Sequence, residues 1–195
     1  MKNITNEEKG YAKINLALHV TGIQADGYHA LDSIVVFTDV FDRLFFKRSL
    51  KNAVTLTGEF SGSINDKENS VLQALKLFEN GLTDRFSINL EKNLPIGAGL
   101  GGGSADAAAV IRFITNNSKH LMPSSEALSK IGADIPACVL SVASRVGGIG
   151  EIVRPLDISK INLWVVLVNP DIFVSTGSIF EEVTEKYNKP LESFI

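Results

Sequence analysis

One run of ten residues constrains this chain more than any other: Pro95-Ile96-Gly97-Ala98-Gly99-Leu100-Gly101-Gly102-Gly103-Ser104. Five glycines in the seven positions 97–103 exceed what a turn needs. Such a backbone lets another group approach closely. The residues that follow, 104–116, are rich in alanine, with apolar side chains at helical spacing. They predict a helix about 20 Å long. The run therefore opens a helix, whose first N–H groups lack partners and carry the positive end of the dipole. That arrangement suits an anion, most often phosphate.

The type of phosphate loop is less constrained. A Walker loop ends in Gly-Lys-Ser/Thr, and no Lys follows Gly103. Gly97, Gly99 and Gly102 fit G-x-G-x-x-G, which leaves a dinucleotide-dependent oxidoreductase open. That match is weak alone: Leu94-Pro95 separates it from the preceding strand, and no clear βαβ unit follows. Protein kinases set their glycine loop between two strands, whereas a helix follows here.

Around this loop the chain reads as mixed α and β. Residues 11–20, YAKINLALHV, alternate and predict a strand with one buried face. Residues 21–28 hold an Asp-Gly turn signal. Further strands are expected over 31–37, 42–49, 54–57 and 86–90, with a polar loop over 61–68. Asn69 or Ser70 is placed to cap a helix through Val71, Leu72, Leu75 and Phe78. A second, shorter helix is expected over 124–131, a strand pair over 143–147 and 151–155, a buried strand over 161–169 and a last helix over 178–186. The fold class is α+β, with helices on one side of a mixed sheet. A boundary near Pro155 leaves about 40 residues, too few for an independent core.

Composition removes several function classes. With 19 basic and 22 acidic residues the net charge is −3, and no basic patch marks a nucleic-acid partner. The single Cys, Cys138, excludes a disulfide framework and a cysteine-based zinc site. Three scattered His do not suggest a histidine metal site, and no protein metal ligand is assigned. No apolar run approaches membrane-spanning length. Residues 1–10 are polar and do not read as a signal peptide, so the expected location is the cytoplasm.

Three other places hold chemistry-bearing side chains. Asp134, in Ile131-Gly132-Ala133-Asp134-Ile135-Pro136, either caps a turn or works as a shielded carboxylate. Lys13 stands in an otherwise apolar strand, where a lone Lys ordinarily points to solvent. Tyr28 and His29 follow the Asp26-Gly27 turn, either as ordinary turn residues or as a grip on a flat base.

Taken together, AKINLALHVTGIQADGYHALDSIVVF, LPIGAGLGGGSADAAAV, IGADIPACV, GGIGEIVRPL and VNPDIFVSTGSIF resemble the GHMP kinase superfamily in kind and order. The likeness covers residues 11 to about 180. It implies a ribosomal-protein-S5-domain-2-like ATP-binding domain over 1–155 and an incomplete start of a C-terminal α/β sandwich domain over 156–195. It implies ATP and Mg²⁺, and phosphorylation of the 2-hydroxyl of a small cytidyl diphosphate substrate in non-mevalonate isoprenoid biosynthesis. Asp134 falls at the catalytic base and Lys13 at its partner. Pro95, Ile96, Gly97, Ala98, Gly99, Leu100, Gly101, Gly102, Gly103, Ser104 and Ala105 fall on the ATP-phosphate loop. Asn69, Lys92 and Asp106 fall around the adenosine, the last often Asn in relatives. Tyr28, His29 and Phe180 fall on the cytosine ring, and Asn15 and Thr176 on other substrate contacts. Nothing after Phe180 matches the family's third glycine motif, so the chain reads as C-terminally truncated. The rival reading is a nucleotide-binding pseudo-enzyme with little or no kinase activity. The oligomeric state is not legible.

Overall fold

The computed structural model describes residues 6–25, 27–63, 69–79, 84–162, 164–170, 172 and 174–192. Among these residues the strands form one mixed six-stranded sheet. β1 (Glu7–Ile23) runs antiparallel to β2 (His29–Ser49) from the Glu7↔Phe45 pair to the Ile23↔His29 pair. The opposite edge of β2 is shared. Its first part pairs with β5 (Ser144–Gly148), which continues to β6 (Ile152–Pro155). Its last part pairs with β4 (Arg85–Glu91), which carries β3 (Ala53–Thr57) in parallel. In β4 the predicted alternation is realised, since Phe86, Ile88 and Leu90 are buried and the residues between them are only half-buried.

Among the described residues five α-helices accompany the sheet: α1 (Ser70–Lys76), α2 (Gly102–Asn117), α3 (Ser125–Ser129), α4 (Ile135–Leu140) and α5 (Thr176–Glu181). α2 is the centre of the molecule, buried continuously from Ala105 to Ile111 and again at Phe113 and Ile114. The sheet supplies Leu44, Phe46, Ile88 and Leu90 to its core, and α1 supplies Val71, Ala74 and Leu75. Alanines on α2 allow close approach. At Gly10 of β1 a Cβ would lie 3.1 Å from the carbonyl carbon of Ala105 and 2.8 Å from Asp106 Oδ1.

The expectations differ from the fold in instructive ways. The strands expected over 31–37 and 42–49 are one strand, because Phe41 pairs with Tyr11 and pairing is taken up again at Phe37. α4 was not expected, yet Pro136 sits where the first turn of a helix tolerates a missing N–H. The last helix is shorter than 178–186 and is capped by Ser175, whose side chain accepts from Ser178 N.

The buried strand expected over 161–169 is corrected. Among the described residues of that stretch none pairs into a ladder. Exposure nevertheless alternates along it: Trp164 92%, Val165 46%, Val166 89%, Leu167 47%, Val168 88%. Apolar periodicity was present, but a strand needs a neighbour to hydrogen-bond, and no strand of the described residues lies alongside. Farther on, the chain returns to the sheet. Asn188 N donates to Val20 O at 3.0 Å, and Leu191 N to Asp32 Oδ2 at 2.8 Å.

Candidate active site

The glycine loop runs from the end of β4 to α2 and is left-handed at every second residue, with φ of 71°, 73° and 66° at Gly97, Gly99 and Gly101. Only glycine adopts these angles without cost. Gly101 is the N-cap of α2 and offers no side-chain cap. The first bond of the helix runs from Ala105 N to Gly101 O at 2.8 Å, so the preceding N–H groups have no partner within the helix. β1 holds the loop from the side, Lys13 N donating to Leu100 O at 2.8 Å.

Lys13 is not on the solvent side. It is 4% exposed and sits at a register shift in β1. Its Nζ lies 3.1 Å from Asp134 Oδ1 and donates to Asn15 Oδ1 at 2.7 Å. Asn15 in turn donates to Ser33 Oγ at 2.8 Å, and Ser33 Oγ to Ala17 O at 2.7 Å. The ammonium is thus fixed from behind, while the Asp134 side chain stays 41% exposed. Asp134 occupies the N-cap position of α4 but makes no cap hydrogen bond, so its carboxylate is not consumed by the helix. A Cβ built on Gly101 would come within 3.1 Å of Lys13 Cε and 3.7 Å of Asp134 Oδ2. The pair therefore stands at the mouth of the glycine loop. On the same side, a Cβ on Gly132 would meet Ser104 Oγ at 3.3 Å.

Asn69, Lys92 and Asp106 all lie close behind the loop and are buried. Asn69 Oδ1 accepts from Val71 N at 2.9 Å and caps α1. The next residue, Ser70, has its Oγ 3.4 Å from where a Cβ on Gly103 would be. Lys92 donates to Asp42 Oδ2, and to Asp106 Oδ2 at 2.8 Å. Burial works against the Lys92 ammonium, but the two carboxylates outweigh it and hold its pKa above the ordinary lysine value. Asp42 was missed by the sequence reading. Locally it is a carboxylate between Phe41 and Arg43 in a strand, which by itself does not mark a site.

Burial pushes the Asp106 carboxyl up to about 7, Asp42 adding to the shift and Lys92 opposing it. Its Oδ1 is buried without a hydrogen-bond partner among the described residues. A folded pKa above the ordinary 3.8 means the folded state binds more protons between those two values. The contribution of Asp106 to stability therefore falls as pH rises through that window. Asp106→Asn is expected to remove the fall. Its stability relative to the unmodified chain should grow by about 1–3 kcal/mol between about pH 4.5 and pH 8. Urea melts at both pH values check this, and a constant difference would mean the carboxyl titrates alike folded and unfolded.

The substrate-side residues gather less tightly. The Phe180 ring stacks on His29 at 5.3 Å, with 26° between planes. His29 Nε2 is buried and lacks a partner among the described residues. Tyr28 is 60% exposed. Val174 N donates to Gly97 O at 3.5 Å, which draws the segment before α5 toward the loop. Asp26 and the Thr176 side chain lie outside what is described.

Comparison with known proteins bears on the whole arrangement. Residues 69–150 match the family described as GHMP kinases N terminal domain. The chain is 45% identical over 193 residues to 4-diphosphocytidyl-2-C-methyl-D-erythritol kinase of Rhizobium johnstonii, covering 94% of this chain and 63% of that protein. It is 40% identical to the Cereibacter sphaeroides protein of the same name, covering 92% of this chain and 64% of the relative. The solved structure of a 4-(cytidine 5'-diphospho)-2C-methyl-D-erythritol kinase superposes with a TM-score of 0.72 at 28% identity, covering 95% of this chain and 68% of that one. The chain thus spans less than two thirds of the length of these curated relatives. On this family match and these likenesses, the chain belongs to the GHMP kinase superfamily.

Proposed function

We propose that this chain binds ATP on its glycine loop and serves transfer of the γ-phosphoryl group to the 2-hydroxyl of 4-diphosphocytidyl-2-C-methyl-D-erythritol, in the cytoplasm. The observation that carries the reading is the Lys13–Asp134 pair, 3.1 Å apart at the mouth of the loop. Phosphoryl transfer needs positioning and charge stabilisation more than covalent chemistry. The unpartnered N–H groups at the start of α2 receive phosphate oxygens. Asp134 accepts the proton of the attacking alcohol, and the buried Lys13 ammonium beside it steadies the developing charge. Mg²⁺ bound here would neutralise phosphate charge and would need few protein ligands. The donor that would fit it here is the Ser104 hydroxyl.

His29, Phe180 and Tyr28 form the base-binding end in this reading, with Asn15 and Thr176 on the remainder of the substrate. The buried Nε2 of His29, without a partner among the described residues, is the polar atom at this end, and its stack with Phe180 holds the imidazole in place. Residues 1–155 supply the ATP site, and 156–195 begin the second domain. The deciding experiment measures ADP formation by the 195-residue chain with Mg²⁺, ATP and the cytidyl substrate. Substrate-dependent ADP supports the kinase. ATP binding without turnover supports the pseudo-enzyme. Tyr28→Ala is expected to weaken the cytidyl substrate about fivefold, as loss of an aromatic contact of about 1 kcal/mol implies, and to leave ATP nearly unaffected. Equal losses for both ligands, read by calorimetric titration, would make Tyr28 a structural turn residue.

A further inference from the structure

Asp42 stands outside every contact assigned above to a ligand, yet three hydrogen bonds converge on it. Its Oδ1 accepts from Asn93 N at 2.6 Å and from Leu94 N at 2.8 Å, the two residues that lead into the glycine loop. Its Oδ2 accepts from Lys92 Nζ, and that ammonium also donates to Asp106 Oδ2 at 2.8 Å. Asp106 lies in the first turns of α2, just beyond the loop's other end. We propose that Asp42 is a positioning residue for the nucleotide, clamping both ends of the glycine loop through one buried ionic cluster with Lys92 and Asp106. The inference rests on the reading of that loop as the ATP site.

Stability alone is a poor reason for such a cluster. Two carboxylates and one ammonium buried together cost desolvation that packed apolar side chains would avoid. What the cluster adds is geometry. The strand end, the two residues entering the loop and the helix after it are referred to a single carboxylate on β2. Gly102 lies directly against the cluster, since a Cβ there would be 3.5 Å from Lys92 Nζ and 3.7 Å from Asp42 Oδ2. Any shift of Asp42 is therefore passed to the first residue of α2, where the phosphate-binding N–H groups begin. An amide at position 42 cannot replace the carboxylate. It has one oxygen for the backbone donors and would turn its own N–H₂ toward the ammonium.

The test is Asp42→Asn, titrated with Mg-ATP and separately with CDP. The expected result is a folded variant with Kd for ATP raised about tenfold or more, as loss of charge-assisted hydrogen bonds implies, and Kd for CDP unchanged. A folded variant with unaltered ATP affinity would overturn the proposal. A second measurement needs no substitution. In the unmodified chain the Asn93 and Leu94 amides are expected to exchange hydrogen as slowly as those of the first turns of α2. Exchange as fast as in the open segment 118–123 would overturn the clamp even if Asp42→Asn fails to fold. An unmodified chain that binds no ATP would instead refute the reading of the loop, and the exchange result would still decide the clamp.

Discussion

Asp134→Asn should reduce turnover by about a thousandfold and leave ATP affinity nearly unchanged, because a positioned general base contributes about 10²–10⁴ in rate. The substitution keeps the size of the side chain and removes its capacity to take a proton. It should be structurally mild. Lys13 keeps its bond to Asn15 Oδ1, so the ammonium is not left without a partner. Asp134 makes no cap hydrogen bond to α4, so the helix loses nothing at its start. The loss should therefore appear in kcat, with little change in KM for ATP, the signature of an interaction used in the transition state. Single-turnover measurement against the unmodified chain checks it. A rate within about tenfold of the unmodified chain would be below what a general base supplies and would assign the proton to another group.

The second large effect comes from a glycine with no chemistry of its own. Gly150, in the turn between β5 and β6, has φ of 123°, and a Cβ there would sit 2.0 Å from Ala133 O and 2.8 Å from Ala133 C. Both obstacles are backbone, so no side-chain rotation relieves them. Gly150→Ala must move the peptide that precedes Asp134. Backbone strain and overpacking together are expected to cost about 3–5 kcal/mol. Gly27→Ala is the matched control: its φ is 88°, and a Cβ there would meet nothing within 4 Å. It should cost only about 1 kcal/mol, the penalty of the left-handed angle. Thermal melts of the two variants separate clash from strain. Equal losses would show that the turn yields and that Ala133 does not depend on it.

What was legible in the sequence follows from how local each signal is. The glycine loop and the start of α2 could be read because five glycines and an alanine-rich repeat are contiguous. β4 could be read because its alternation is complete within seven residues. Residue patterns could not bring Lys13 to Asp134. The two are 134 − 13 = 121 positions apart, and only the resemblance to a family paired them. Lys13 by itself pointed to solvent, and burial by a partner reversed that. Asp42 gave no usable signal because its partners are two backbone amides and a lysine 50 positions away. The strand expected at 161–169 failed for the opposite reason: its local pattern was right, but strand pairing is a property of two segments.

The stretch from Trp164 to Val168 carries an optical property. Trp164 is the only tryptophan in the chain, and it stands 92% exposed at the head of the alternating apolar stretch. Indole emission shifts toward the blue as water is removed from around the ring. Excited at the red edge, where tyrosine does not absorb, the intrinsic fluorescence of this chain therefore reports on one place. In the free chain the emission is expected to be that of a water-exposed indole, open to collisional quenching by iodide. A strand laid along residues 164–168 would shift it blue and shield it from the quencher. The glycine loop is wired to the same reporter by a short length of backbone, because Val174 N reaches Gly97 O.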